Sequence, residues 1–278
     1  MNLYRLKTGI LLEHEGQYYL TLEVDWDRLL NQTNLYQVLE AEMRGNRPVV
    51  NPEKLIAEEL LPPIVRQEVW ASGITYYRSR NARIEESKDS GGGDFYDKVY
   101  DAERPELFFK ATAARTVGSG DLVNIRKDST WNVPEPELTL FINSQGVISG
   151  YTIGNDMSSR SIEGENPLYL PQAKTYDRSA ALGPGIYVPA TPIAPDSRIT
   201  LEIIRNNTYI FNESITIDQI KRSHEELVSF LYRECSFPFG CFLMTGTGIV
   251  PPNDFTLASG DEIRITIDAI GTLVNKVR

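Results

Sequence analysis

The sequence predicts an α+β chain that is mostly β, with a small N-terminal α+β domain over residues 1–65 and a larger domain over residues 66–278. Three observations carry this. Helical periodicity is concentrated in the first sixty or so residues and is clear only once more, around residue 225. From residue 66 onward, short apolar runs alternate with Gly, Pro and Asn turns. The alternating rhythm of a parallel βαβ sheet is absent, and so is a G-x-G-x-x-G or G-x-x-x-x-G-K-[ST] phosphate loop.

Residues 8–23, TGILLEHEGQYYLTLE, read as two short strands around a turn at Glu15-Gly16. From Asp25 to about Met43, Leu29, Leu30, Leu35, Val38 and Leu39 form the rough apolar stripe of a helix, with Gly45 as its stop. A further short helix is expected over about 52–60, ended by Pro62-Pro63. Strands follow at 121–123, 138–142, 147–153, 199–205, 208–214 and 262–268. The last helix is expected over 218–235, where Ile220, Leu227, Val228 and Leu231 share a stripe and His224 lies exposed. One stretch is of low complexity: SKDSGGGDF, Ser87 to Phe95. It reads either as a solvated excursion or as a mobile lid beside a site.

Hydrophobic residues make up 41% of the chain and charged ones 24%, enough apolar material for a real core. No run of 18 apolar residues exists, so neither a transmembrane helix nor a membrane partner is expected. The start, MNLYRLKTGILLEHEG, lacks a signal-peptide pattern, and the expected compartment is the cytoplasm. A formal net charge of −10 argues against a nucleic-acid partner. It leaves small anionic substrates open, because a bound metal inverts the local field. Cys235 and Cys241 sit among aromatic and apolar residues with no further zinc-type ligand, and both are expected to be reduced, buried thiols.

The stretch NVPEPELTLFI, Asn132 to Ile142, raises the chemical question. If a strand begins by residue 135, Glu135 and Glu137 project from the same face, because side chains alternate with period two. A hairpin turning around Ser144–Gly146 would return Asp156 to their side. Three carboxylates that converge need a cation, and oxygen ligands without Cys or His select Mg²⁺, Ca²⁺ or Mn²⁺ over zinc. By spacing alone, a surface cluster of acids is the commoner meaning, because Glu-x-Glu on a strand is a weak signal.

Several long tracts resemble the fumarylacetoacetate hydrolase family. They are PELFFKATAARTVGSGD, PEPELTLFIN, GYTIGNDMSSRSIEGENPLYLPQAKTYDRSAALGPGIYVP and FLMTGTGIVPPNDFTLASGDEIRITIDAIGTLVNKV, in the family's order, and the resemblance covers roughly residues 66 to 278. It implies a rolled, mixed β-sandwich of the family's C-terminal type. It also implies a divalent metal, usually Mg²⁺, with Mn²⁺ or Ca²⁺ as alternatives, held by residues that match Glu135, Glu137 and Asp156. A small 2-oxo acid substrate and a homodimer or homotetramer are implied as well.

Hydrolases of this family use a His paired with Glu to activate water, after a Tyr near the start of the domain. The matching stretch here, GITYYRSRNARIEES, contains no histidine. Instead, NPLYLPQAKTYD resembles the 2-keto-3-deoxy-D-arabinonate dehydratase branch, in which a lysine sits over the substrate and a preceding acid assists. These match Lys174 and Glu106. The resemblance thus implies a metal-dependent dehydratase giving a 2-oxo acid with a terminal aldehyde, such as 2,5-dioxopentanoate. The alternatives are an acylpyruvate C–C hydrolase and an oxaloacetate-type decarboxylase. Lys174, with its pKa lowered beside the metal, would act as base, and Glu106 would assist departure of the hydroxyl. Arg78, Arg80, Thr245 and Thr247 are candidates for holding the substrate's carboxylate, oxo group or hydroxyls.

Overall fold

The computed structural model describes residues 1–21, 25–44, 46–76 and 99–278. The glycine-rich stretch 87–95 lies outside the described residues. In chain order the strands are β1 (Asn2–Arg5), β2 (Ile10–His14), β3 (Gln17–Thr21), β4 (Glu68–Gly73), β5 (Glu106–Thr112), β6 (Thr116–Val117), β7 (Leu122–Val123), β8 (Asn132–Val133), β9 (Pro136–Ile142), β10 (Ile148–Asp156), β11 (Ser158–Ser159), β12 (Ala180–Tyr187), β13 (Arg198–Arg205), β14 (Thr208–Thr216), β15 (Cys241–Met244), β16 (Glu262–Ile267) and β17 (Gly271–Val277). The helices used below are α1 (Trp26–Leu30), α2 (Leu35–Met43), α3 (Pro52–Glu59), α4 (Arg160–Glu165), α5 (Leu170–Lys174) and α6 (His224–Leu231). Among the described residues no helix is long and apolar enough to cross a membrane.

Two main sheets form. The larger runs in the order β3-β2-β1-β12-β10-β9-β15-β4-β5, with β6 beside β12, and the smaller runs β14-β13-β16-β17-β7. β15 pairs parallel to β4 and antiparallel to β9, so the large sheet is mixed. The first three strands extend this sheet by the pairing of β1 with β12.

β9 shows why its sequence is almost continuously apolar. Leu138, Leu140 and Ile142 enter one core cluster with Leu201 and Ile203 of β13 and with Ile263 and Ile265 of β16. Phe141 enters a second cluster on the opposite face, with Phe242, Trp26, Leu30 and Leu39. The Phe141 and Phe242 rings are 5.2 Å apart. A strand covered on both faces loses the inside/outside alternation. β13 keeps it, because only Ile199, Leu201 and Ile203 are buried along its length.

Several expectations change in detail. The helix expected over residues 25–43 is two helices, because Asn31-Gln-Thr-Asn34 offers turn formers that compete with helix. Asn31 is used in tertiary contacts instead: its Nδ2 donates to Pro238 O at 2.9 Å, and its Oδ1 accepts Ser144 N–H at 2.7 Å. The helix expected over 218–235 is α6 alone. Ser223 caps it by accepting Glu226 N–H at 3.1 Å, and Ile217–Gln219 form a separate 3₁₀ turn. His224 is half-buried rather than exposed, 6.5 Å from the Tyr151 ring, and burial lowers its pKa. Cys241 is buried on β15, but Cys235 is exposed, since the helix has ended before it and its segment runs over the surface.

Burial pushes the Cys241 thiol well above its ordinary pKa, with the Glu68 charge adding to the effect. Thiolate is the reactive form. A chromogenic disulfide reagent is therefore expected to titrate one thiol in the native protein and the second only after denaturation; two fast thiols in the native state would contradict this burial pattern.

Candidate active site

The antiparallel pairing of β9 and β10 sets Gly154 opposite Glu137 and Asn155 opposite Pro136. One step further, Asp156 N–H donates to Glu135 O at 3.0 Å. The hairpin thus delivers all three carboxylates to one point. Glu135, Glu137 and Asp156 each offer an oxygen within 4.8 Å of the others. Their exposures are 5%, 1% and 1%, which excludes the reading of an exposed acidic cluster. Among the described residues no other group of three His, Cys, Asp or Glu side chains converges in this way.

Cations surround the acids. Lys174, the last residue of α5, places Nζ 2.7 Å from Glu135 Oε2 and 3.0 Å from Asp156 Oδ2. Arg160, the first residue of α4, places Nη2 2.7 Å from Glu135 Oε1. Lys110 on β5 places Nζ 2.6 Å from Asp156 Oδ1 and 2.9 Å from Met157 O, and it also donates to Lys174 O. Burial alone would raise the Asp156 carboxyl, but Lys110 and Lys174 outweigh it and hold Asp156 below the usual range. Burial pulls the Lys110 ammonium down against the opposing pull of Asp156.

Glu137 stands differently. It accepts the Gly246 N–H at 2.5 Å, yet burial, reinforced by the Asp156 and Glu135 charges, pushes its carboxyl well above the ordinary range. Gly246 can present that N–H because it adopts φ +94°, and a Cβ there would overlap Thr75 Oγ1.

The triad fits a divalent cation. All its donors are hard oxygens, and a buried cluster of like charges favours a compact positive ion among them. The Lys174 ammonium already bridges two of the three acids, so this point attracts a cation.

Above the acids is a small cleft lined by Gly73, Glu106, Phe108, Arg160, Lys174 and Thr247, among others. Glu106 and Phe108 share a face of β5 by the period of two, and the register against β4 shifts at Lys110. Gly73 pairs with Glu106 across β4 and β5. A Cβ on Gly73 would overlap the Glu106 carboxylate, so the glycine makes room for that side chain.

The structure therefore brings Glu106, Glu135, Glu137, Lys174 and Thr247 to one cleft, with Asp156 joined to them through the acid triad. Thr245 is used elsewhere: its hydroxyl and its N–H both donate to Leu138 O, at 2.9 and 3.0 Å. Arg78 and Arg80 lie outside the described residues. Sequence reasoning did not single out Lys110 or Arg160. For Lys110 there was a signal, a lysine inside the apolar run LFFKA at the same parity as Glu106. For Arg160 there was none, because Glu135 is reached only through the tertiary fold.

A family profile described as "Fumarylacetoacetate (FAA) hydrolase C-terminal" matches residues 77–278. The chain belongs to the fumarylacetoacetate hydrolase family. Over 240 residues it is 45% identical to a "Probable 2-keto-3-deoxyxylonate dehydratase" of Haloferax volcanii, covering 86% of this chain and 81% of that one. Over 218 residues it is 45% identical to the 2-dehydro-3-deoxy-D-arabinonate dehydratase of Saccharolobus solfataricus, covering 78% and 73%. Identity to the oxaloacetate tautomerase YisK of Bacillus subtilis is 30% over 192 residues, covering 63% and 62%. A solved 2-keto-3-deoxy-D-arabinonate dehydratase complexed with magnesium and 2,5-dioxopentanoate matches with a TM-score of 0.84 at 35% identity, covering 100% of this chain and 99% of that one. The fold is thus the mixed, mostly β fold of this family.

Because the atom that a Gly73 Cβ would strike is the end of a flexible side chain, Gly73→Ala is expected to leave the fold and the triad intact while moving the Glu106 carboxylate. A crystal structure of the variant with Glu106 in its original place would contradict this, as would a melting temperature lowered by more than about 4 °C, the upper end of the shift that 1 kcal/mol gives in a chain of about 150–250 residues.

Proposed function

We propose that this chain is a metal-dependent hydro-lyase that dehydrates a 2-keto-3-deoxy sugar acid of the arabinonate or xylonate type to a 2-oxo acid with a terminal aldehyde, such as 2,5-dioxopentanoate. The observation that carries the reading is Lys174, set directly against the buried acid triad in a cleft that also holds Glu106 and no histidine. The 45% identity to two sugar-acid dehydratases supports it. The two histidines of the chain, His14 on β2 and His224 on α6, are not among the residues lining the cleft, which disfavours the His–Glu water activation of hydrolytic relatives.

Glu135, Glu137 and Asp156 would hold the divalent ion, Mg²⁺ in this reading. When bound, the ion polarises the 2-oxo group and so acidifies the protons on C3. Lys174 is the group placed to take a C3 proton, since its Nζ adjoins the ligand set and lines the cleft; it would do so as the neutral amine, which the charge of an ion held by the acids favours over the ammonium. Glu106, across the cleft on β5, gives a proton to the departing C4 hydroxyl, which leaves as water. A C3=C4 double bond remains, and moving a proton from C5 to C3 converts it to the C4=C5 enol of the aldehyde. That enol ketonises by gaining a proton at C4 as its hydroxyl loses one. Thr247 and Arg160 offer donors for the substrate's oxygens. Phe108, 5.6 Å from Lys174 Nζ, provides the apolar side that limits water around the base.

The reading includes a homodimer or homotetramer and a cytoplasmic setting. The exposed Tyr209 and Ile210 on β14, at the edge of the smaller sheet, are suited to an intersubunit contact.

Incubation with 2-keto-3-deoxy-D-arabinonate and Mg²⁺ is expected to give one aldehyde per substrate with all carbons retained. Carbon dioxide or a shortened acid would point to a decarboxylase or a C–C hydrolase instead. Glu135→Gln is expected to lose Mn²⁺ binding and turnover together, and full activity in excess chelator would overturn the metal assignment. Lys174→Met is expected to keep the metal but to lower kcat by roughly 10²- to 10⁴-fold, the usual contribution of a general base; wild-type kcat in that variant would remove Lys174 from the chemistry.

A further inference from the structure

We propose that Lys110 is a positioning residue that fixes the carboxylate of Asp156 and the backbone of Lys174 relative to each other. The inference rests on the reading of Asp156 as a metal ligand and Lys174 as the base. Lys110 is fully buried on β5 and does not line the cleft, so it is placed to act through its neighbours. Its nitrogen meets three oxygens: it donates to Met157 O at 2.9 Å and to Lys174 O, and it pairs by charge with Asp156 Oδ1 at 2.6 Å. The first two lie at the end of β10, and the third is the last residue of α5. Two stretches of chain that carry the acid and the base therefore meet on one atom.

The contact also sorts the oxygens of Asp156. Oδ1 is held by Lys110 away from the cleft, and Oδ2 faces Lys174 Nζ at 3.0 Å. Without Lys110, the carboxylate would be held through Oδ2 alone and the end of α5 would lose its contact with the end of β10. Groups that orient ligands in this way typically change metal affinity by about 10- to 100-fold when removed. A lysine that merely neutralised buried charge would, once removed, leave the site more negative and tighten rather than weaken binding of a divalent ion.

The test uses Lys110→Met in the full chain, with Mn²⁺ affinity read by electron paramagnetic resonance and kcat read at saturating metal. Expected are a weakening of Mn²⁺ binding by about tenfold or more and a fall in kcat of at least about tenfold that extra metal does not restore. A folded Lys110→Met protein with either quantity at its wild-type value overturns the proposal. Glu135→Gln is the control for the underlying reading: if it binds Mn²⁺ normally, the ligand assignment has failed rather than the role of Lys110. Should Lys110→Met not fold, the Lys174→Met protein labelled with ¹⁵N-lysine carries the test. Among the described residues the buried ammonium that remains there is that of Lys110, and its resonance is expected to shift when Mg²⁺ saturates the site. A resonance that does not move overturns the proposal.

Discussion

Three carboxylates forced together in the interior constrain everything around them. Breaking a buried ion pair costs about 3–5 kcal/mol, because an uncompensated charge is left behind. Whole domains are stable by only about 5–15 kcal/mol, so each acid here must be answered. Arg160 answers Glu135, Lys110 answers Asp156, Lys174 spans both, and Glu137 relies on a backbone N–H and on its raised affinity for a proton. Lys110 approaches from outside the cleft, while Arg160 and Lys174 both line it.

This arrangement needs a rigid floor, and the sheet supplies it. β9 is covered by the smaller sheet on one face and by Trp26, Leu30 and Leu39 of α1 and α2 on the other. Its start therefore lies deep in the molecule, and residues at 135 and 137 are buried whatever their chemistry. A strand so confined cannot slip by one residue without turning Leu138, Leu140 and Ile142 out of their cluster. The register that satisfies the core is the one that brings Asp156 beside Glu135.

Much of this hairpin is legible in the sequence, because its signals are local: an apolar run, the turn Ser144–Gly146 and a second run. The acids follow from parity. The strands that were missed depend on partners far along the chain. β15 is only four residues long and is held between β4 and β9, and β12 carries Gly183-Pro184 in the midst of its pairing with β10. Pro and Gly read as turn signals, and only the irregular register opposite them shows how the sheet accommodates them. Lys110 escaped for the same reason: its acceptors lie 47 and 64 residues away. The histidine-free stretch and the Gln-Ala-Lys-Thr-Tyr motif were the chemical features that sequence alone exposed, and the cleft contains Lys174 where that motif suggested.

All three acids come from one hairpin, whereas the groups above them come from β4, β5, α4, α5 and the turn after β15. Floor and walls are thus built from separate parts of the chain. A substitution in a wall alters what is done to a substrate without disturbing the ion-holding geometry, and insertions between strands change the walls at little cost to the floor. In evolutionary terms the hairpin is a fixed socket and the surrounding segments are exchangeable fittings. A fold built in this way lets the chemistry above the acids change through the walls while the two-strand segment at its centre keeps its arrangement.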